Sequence, residues 1–326
     1  MRQVNVYPET WPLNAPLIIA RGSRSEALVL VVEIEQDGIK GIGECTPYPR
    51  YDESVASVMA QINNLKPALE KGLSRHLLQQ QLVPGAARNA IDSALWDLEC
   101  RQQRQSLWQK TGVPMPDSVV MAQTVSIDTP KVMALCAALL VEKGARLLKI
   151  KLDNHLITER LMAIRARVPD VTLIVDANES WDAEGLATRC QLLADLKVAM
   201  LEQPLPADND AALSDFVHPL PICADESCHT RDSLINLHGR YDMINIKLDK
   251  SGGLTEALAL AQQARAEGFE IMLGCMLCTS RSISAALPLV PQACFVDLDG
   301  PTWLARDAEP SLAFSCGRID LSSRPG

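Results

Sequence analysis

From residue 118 to residue 300 the chain alternates between two hydrophobic periods, and this alternation limits the fold more than any other feature. Short β-branched runs are each followed by about 10–15 residues with helical apolar spacing, the signature of successive βα units. The pattern places strands at Val119–Val125, Leu147–Leu152, Thr172–Asp176, Ala199–Glu202, Ile222–Asp225, Met243–Lys247, Glu270–Cys275 and Cys294–Asp299. Helices fall between them, among them Pro130–Lys143, Ile157–Val168, Glu184–Leu193 and Thr255–Glu267. Thr129-Pro130 opens one helix, and Gly144 and Gly268 follow the last turns of two others. Eight such strands exceed a typical open doubly wound sheet and fit a closed α/β barrel, smaller than the usual size of about 250 residues. No G-x-G-x-x-G follows the first strand and no G-x-x-x-x-G-K-S/T occurs, so dinucleotide and nucleoside-triphosphate readings lose their main support.

The first 117 residues read as a separate α+β domain. Leu28–Glu35 and Ile39–Cys45 are strands joined by Gln36-Asp37-Gly38, a hairpin signal. Helices follow at Val55–Glu70 and Ala86–Gln105, the second with Ala87, Ala90, Ile91, Ala94, Leu95 and Leu98 on one stripe. The tail after Asp299 is too short to fold alone, and its Ser-Ser-Arg-Pro-Gly end is expected to fray.

Composition narrows the function. With 47% apolar and 22% charged residues the chain can bury a sizeable core. A net charge of −9 without a Lys/Arg cluster argues against nucleic-acid binding. No apolar run approaches the roughly 20 residues that span a bilayer. The N-terminal MRQVNVYPETW has no apolar export core, so a cytoplasmic location is expected, with the oligomeric state, monomer or homo-oligomer, left open. Ten cysteines are scattered through regular segments and read as small core residues; the lone C-x-x-C, Cys275–Cys278, has no second pair at zinc spacing.

Chemistry in such barrels sits at the C-terminal ends of the strands. Those ends carry Thr124, Lys149 with Lys151, Asp176, Glu202, Asp225, Lys247, Cys275, and Asp297 with Asp299. From Lys151 the steps to Asp176, Glu202, Asp225 and Lys247 are 25, 26, 23 and 22 residues, one βα unit each. Asp176, Glu202 and Asp225 would repel one another unless a cation sat between them, and an all-oxygen set suits Mg²⁺ or Mn²⁺ over zinc. Lys149 and Lys151 lie two apart on a strand and share a face, with Leu148, Ile150 and Leu152 turned to the helices. Each ammonium is a cationic neighbour expected to lower the other's pKa, as a general base requires. Strands two and six oppose each other in an eight-stranded ring, so Lys151 and Lys247 are expected to face across the pore. An ion-pair network between these lysines and the carboxylates is the structural alternative.

Two opposed lysines and a divalent cation suit proton removal beside a substrate carboxylate from one face and return to the other, which inverts the α-carbon. The pairing of a Lys base with Mg²⁺ is an established example in the enolase superfamily. The set LKIKLD, VDANESW, LEQPL, ADES and NIKLDKSGG resembles that superfamily, and within it the muconate-lactonizing subgroup. The late barrel position that carries a His–Asp base in the mandelate-racemase subgroup is Lys247 here. The resemblance implies a (β/α)₇β modified TIM barrel at 118–300 under an α+β capping domain of residues 1–117, completed by 301–326. It also implies that Asp176, Glu202 and Asp225 bind Mg²⁺, that Lys151 and Lys247 are the acid/base pair, and that Lys149 polarises the substrate carboxylate.

The eighth strand, FVDLDGP, separates members of the subgroup. Asp297 and Asp299, two apart, are expected to share a face and to bind an ammonium group. Their D-x-D is similar to that of dipeptide epimerases, which implies a small dipeptide as partner and interconversion of L-Ala-D-Glu with L-Ala-L-Glu. N-acylamino-acid racemisation and o-succinylbenzoate synthesis are the alternatives. Arg24, in competition with Arg21 and Arg50, is the expected partner of the glutamyl side chain, and Thr124 and Cys275 match positions that touch substrate. Asn178 is read as supporting Asp176, while Lys250 and Glu226 read as solvated or supporting neighbours.

Overall fold

The structure is a computed structural model that describes residues 2–322. The chain opens with an antiparallel three-stranded sheet of β1 (Gln3–Ile19), β2 (Gly22–Gln36) and β3 (Ile39–Cys45), in that order. Both expected strands are present, and β1 is an addition. Its three prolines, at 8, 12 and 16, argue against a strand, yet β1 is an edge strand, where a missing N–H costs no ladder bond. Its register with β2 shifts between Pro12 and Leu17. Helices α1 (Val55–Glu70), α2 (Arg75–Gln81), α3 (Ala86–Gln103) and α4 (Leu107–Thr111) follow. The small-residue stripe of α3 lies almost on β3: a Cβ on Gly43 would stand 2.0 Å from the Ala90 carbonyl oxygen, and one on Gly41 2.3 Å from that of Ala94.

The run expected as one strand at Val119–Val125 is two. β4 (Ser118–Val120) pairs with the C-terminal tail, and β5 (Gln123–Val125) is the first barrel strand. The backbone changes partners at Met121, whose N–H donates to the Gly317 carbonyl, while Ala122 N–H donates to that of Val296. Then come α5 (Pro130–Glu142), β6 (Leu147–Lys151), α6 (Ile157–Arg167), β7 (Thr172–Asp176), α7 (Leu186–Asp195), β8 (Val198–Glu202) and β9 (Ile222–Ala224). β10 (Met243–Ile246), α8 (Leu248–Ser251), α9 (Leu254–Ala266), β11 (Glu270–Gly274), α10 (Ser280–Ala286) and β12 (Phe295–Asp297) complete the unit. The crossovers on either side of β9 carry 3₁₀ turns, Ala211–Asp215 and Arg231–Asn236, in place of α-helices.

β5 to β12 form an eight-stranded parallel sheet in sequence order. The Ala122–Val296 hydrogen bond, 2.7 Å, links its first and last strands, so the sheet curls into the expected barrel. Inside, Ala122, Leu147, Ile174, Met200, Cys223, Met243 and Met272 form an apolar plug. Alternation along each strand then sets the charged residues one layer above it.

The tail turns back as β13 (Ala313–Ser315) and β14 (Arg318–Asp320), which pair with β4. Ahead of it Leu304 bridges to Leu13 of β1. Most of the Ser-Ser-Arg-Pro-Gly end lies outside the described residues.

The two halves meet through buried carboxylates. Glu44 accepts from Thr279 N–H (2.8 Å) and Oγ1 (2.6 Å), Asp92 from Thr255 N–H and Oγ1, and Asp249 from Thr46 N–H and Asn89 Nδ2. Arg88 donates to the Ser251 and Gly252 carbonyls, and Gly252, at φ 77°, passes where a Cβ would strike the Arg88 guanidinium at 2.3 Å. Gly252-Gly253 thus serves this seam.

Candidate active site

The strand register brings the charged ends together. Lys151 of β6 is level with Asp176 of β7, which is level with Glu202 of β8. Asp225 follows β9 directly and Lys247 follows β10, caught at the start of α8. Thr124 of β5 is level with Lys149 of β6, and Gly274 of β11 with Asp297 of β12.

The network in this layer is dense. Lys149, 2% exposed, reaches Asp297 Oδ2 (2.7 Å), Glu202 Oε2 (2.7 Å) and Asp176 Oδ2 (3.1 Å). Lys151 donates to Asp176 Oδ2 at 2.5 Å and to Asn178 Oδ1 at 3.2 Å, while Asn178 donates from N–H and Nδ2 back to Asp176. Lys247 donates to Asp225 Oδ2 at 2.6 Å, and Lys250 Nζ lies 2.7 Å from Asp225 Oδ1. Asn245 Nδ2 donates to Glu202 Oε1 at 2.7 Å. Sequence reasoning passed over Asn245, although it stands two before Lys247 and so shares its face. Lys250 is no solvated neighbour either: it is 1% exposed, and the tight turn of α8 swings it inward.

The ion-pair network therefore exists, and it overturns the expectation of a lowered pKa at Lys149. Burial pulls the Lys149 ammonium down, but Asp297, Glu202, Asp176 and Asp225 outweigh it and hold its pKa well above the ordinary range. Lys247 is likewise pulled down by burial and raised overall by Asp225 and Glu202. Carboxylates, not a neighbouring ammonium, dominate Lys149 and Lys247. Burial opposes the charge on all three carboxylates. Lys151 and Lys149 nonetheless lower Asp176, Lys247 and Lys250 lower Asp225, and Glu202 between them is pushed up to about 7 by burial and by Asp176.

The donor set fits a hard divalent cation. Three carboxylates stand at the ends of three adjacent strands, and Glu202 Oε2 and Asp225 Oδ1 are met by the ammonium groups of Lys149 and Lys250, at 2.7 Å each, with no further donor. Among the described residues no cluster of three or more His, Cys, Asp or Glu side chains stands in ready ligand geometry, and ammonium groups lie between the carboxylates.

Above this layer lies a cavity of about 90 Å³ under the β1–β2 turn. Its wall brings together Lys151, Lys247, Asp225, Cys275 and Arg24, with Tyr48, Tyr51 and Glu226. Thr124, Lys149, Asp176, Glu202, Asp297 and Asp299 are buried but do not form part of that wall. Of the three competing arginines, Arg50 is held by both oxygens of Glu179 at 2.6 Å. Arg21 is held by Glu226 at 2.7 Å, by Glu179 and by the Tyr48 hydroxyl. Arg24 lies over the Tyr48 ring at 4.9 Å and has no carboxylate partner among the described residues. Glu226 is buried against Arg21 rather than solvated, and burial followed by Asp225 pushes it up to about 7.

β12 ends at Asp297, so Asp299 stands just beyond the strand. Asp297 turns inward to Lys149 and keeps Oδ1 without a hydrogen bond. Asp299 accepts from Thr124 N–H at 2.8 Å and from Trp303 Nε1 at 3.3 Å, and burial followed by Asp297 pushes it up to about 6.

Similarity to known proteins covers both halves. Residues 1–112 match the mandelate racemase / muconate lactonizing enzyme N-terminal domain, and residues 131–326 the enolase C-terminal domain-like family. The L-Ala-D/L-Glu epimerase of Escherichia coli (strain K12) is 69% identical over 98% of this chain and 100% of its own. The N-acetyl-D-glutamate racemase of a Pseudoalteromonas species is 41% identical over 89% of this chain and 92% of its own. The dipeptide epimerase of Enterococcus faecalis V583, solved with Mg and L-Leu-L-Tyr, superposes with a TM-score of 0.91 at 30% identity, covering 98% of this chain and 96% of that one. By the match of both domains and by identity over nearly its whole length, the chain belongs to the mandelate racemase / muconate lactonizing enzyme family of the enolase superfamily.

Proposed function

We propose that this protein is an isomerase that interconverts L-Ala-D-Glu and L-Ala-L-Glu by removing and returning the glutamyl α-proton. The observation that carries the reading is the placement of Lys151 and Lys247, from β6 and β10, in the wall of one small cavity that also holds Arg24. Arg24 is assigned to the glutamyl side-chain carboxylate, because Arg21 and Arg50 are already committed to carboxylates of the protein. The near full-length similarity to an L-Ala-D/L-Glu epimerase supports the same substrate.

Asp176, Glu202 and Asp225 would hold Mg²⁺, or Mn²⁺. When bound, the cation supplies charge that neutralises the carboxylates now gripping the lysines and opposes the charge developing on the substrate carboxylate. Lys151 takes or gives the α-proton on one face and Lys247 on the other. Lys149 orients the substrate carboxylate, Asp297 and Asp299 receive the dipeptide's ammonium, and Thr124 and Cys275 pack against the substrate. Burial under the capping domain keeps water from the α-carbon, so each proton passes through a lysine, whose ammonium exchanges with solvent between turnovers. We place the reaction in the cytoplasm, in the recycling of murein peptides.

Racemisation of N-acyl glutamate is the second reading. It is favoured by the engagement of one oxygen of each aspartate, Asp297 Oδ2 with Lys149 and Asp299 Oδ2 with Thr124 N–H, which leaves less acceptor capacity for an ammonium. A relative named for N-acetyl-D-glutamate supports it. Proton NMR in D₂O with L-Ala-L-Glu, L-Ala-D-Glu and N-acetyl-glutamate, with and without Mg²⁺, separates the two. Metal-dependent deuteration at the glutamyl α-carbon of the dipeptides alone supports the epimerase. Exchange confined to N-acetyl-glutamate replaces it with the racemase, and no exchange in any substrate refutes both.

A further inference from the structure

The loop between β11 and α10 carries a feature that proton transfer does not use. Cys275 and Cys278 stand three apart in Cys-Met-Leu-Cys, a separation across which two cysteines can meet the disulfide geometry. Their sulfurs converge. Each lies 3.2 Å from the point where a Cβ on Gly300 would stand, and the Cys278 thiol makes a hydrogen-bonding contact with Cys275. Gly300 leaves the space that both sulfurs fill, since any side chain there would also strike the Met276 carbonyl oxygen at 2.6 Å. The two thiols differ in access. Cys275 is only partly buried and forms part of the cavity wall beside Lys151 and Lys247, whereas Cys278 is fully buried.

We propose that Cys275 and Cys278 form an oxidisable dithiol, and that a small peroxide entering the substrate cavity converts it to a disulfide that disables the site. Cys275 sulfur attacks the peroxide, the O–O bond breaks, and a sulfenic acid and one water form. The Cys278 sulfur then attacks the sulfenic sulfur, the S–O bond breaks, and the departing hydroxide leaves as water with the Cys278 proton. Two thiols lose two electrons in total and one peroxide gains them. The new bond draws Cys275 away from the wall and closes the loop. That loop holds Met276 and Leu277, which also line the cavity, and the Leu277 carbonyl accepts from Thr46 Oγ1 of the capping half at 3.0 Å. Oxidation therefore changes both the pocket wall and its contact with the cap, while the lysines and carboxylates stay in place.

The test uses the full chain with the exposed Cys294 and Cys316 replaced by serine. Hydrogen peroxide is expected to lower the intact mass by about 2 Da, the loss of two hydrogens, with proteolytic mapping linking residues 275 and 278. Glutamyl α-proton exchange, a readout that rests on the proposed epimerase activity, is expected to fall at least ~10-fold and to return on adding dithiothreitol. Adding Cys278→Ser is expected to leave basal activity unchanged but to abolish the link, so that Cys275 gains oxygen and the loss no longer reverses. Should that variant misfold, protection of Cys275 from N-ethylmaleimide after peroxide, in the chain that retains Cys278, reports the same bridge. Failure of the link to form, or a link that leaves exchange intact, overturns the proposal. The mass and mapping readouts need no substrate, so a wrong substrate assignment would not mimic that failure.

Discussion

Gly274→Ala tests how tightly the site is packed. Gly274 ends β11 with an ordinary backbone conformation, so alanine adds no strain of its own. The added methyl would stand 2.6 Å from Asn245 Oδ1, 2.8 Å from Nδ2 and 3.0 Å from Lys247 Cε. Ordinary contact requires these atoms to withdraw by about 0.5–1 Å. Asn245 can do so only by loosening its 2.7 Å hydrogen bond to Glu202, and Lys247 only by shifting its ammonium against Asp225. Overpacking of a full core costs about 1–3 kcal/mol, and weakening a buried bond to a charged group about 1.5–3 kcal/mol more. Misplacing a proton-transfer group by about 1 Å costs up to ~100-fold in rate. Gly274→Ala is therefore expected to lower kcat for α-proton exchange 10- to 100-fold by that same estimate, with KM changed less. Its guanidinium unfolding midpoint should also fall. Asn245→Ala in the same chain makes room for the methyl, so the double variant should be more stable than the sum of the two single losses implies. An unchanged midpoint together with kcat within about twofold would refute the packing described here.

Other outcomes follow from the same geometry. Lys151→Ala and Lys247→Ala should each abolish interconversion of the two dipeptides, with at most single-face deuterium exchange left in D₂O; full activity in both would end the two-base assignment. Arg24→Met keeps the contact with Tyr48 but removes the cavity guanidinium that pairs with no carboxylate among the described residues, so KM for glutamyl dipeptides should rise with kcat little changed. An unaltered preference for glutamyl over alanyl C-termini would count against it. Gly43→Ala drives a methyl to 2.0 Å from the Ala90 carbonyl, backbone against backbone, and should cost about 3 kcal/mol or more in denaturant titrations. A loss below about 1 kcal/mol would mean that α3 yields more easily than its packing implies. At the seam, burial raises Glu44 from 4.5 to about 7 and Asp249 from 3.8 to about 7. Between those values the folded state holds more protons than the unfolded chain, so this stability is complete near pH 4 and is lost as pH rises through about 7. Urea midpoints should therefore drop from about pH 5 to about pH 8, and Glu44→Gln should shrink the drop; an equal drop in that variant would contradict it.

How much was legible varied with the kind of interaction. Seven of the eight barrel strands were found to within a residue or two, because each is an apolar run and most are closed by a charge. β1 escaped because prolines normally break a ladder, and only its edge position makes them harmless. The break at Met121 escaped because both of its halves look like strand, and their separate partners lie about 200 and 25 residues away in sequence. Asn245 and Lys250 drew little notice because neither residue type signals burial, yet one bonds Glu202 and the other closes on Asp225.

Sequence alone determined the barrel, the cap and the set of charged strand ends, because hydrophobic period and strand alternation act over a few neighbouring residues. It could not determine how strongly carboxylates hold Lys149 and Lys247 charged, which partners Asp297 and Asp299 take, or which arginine of the cavity pairs with no carboxylate. Those depend on distances between side chains brought together from separate strands and from the cap. Electrostatic energy in a buried layer changes steeply with such distances, so only the tertiary structure decides them.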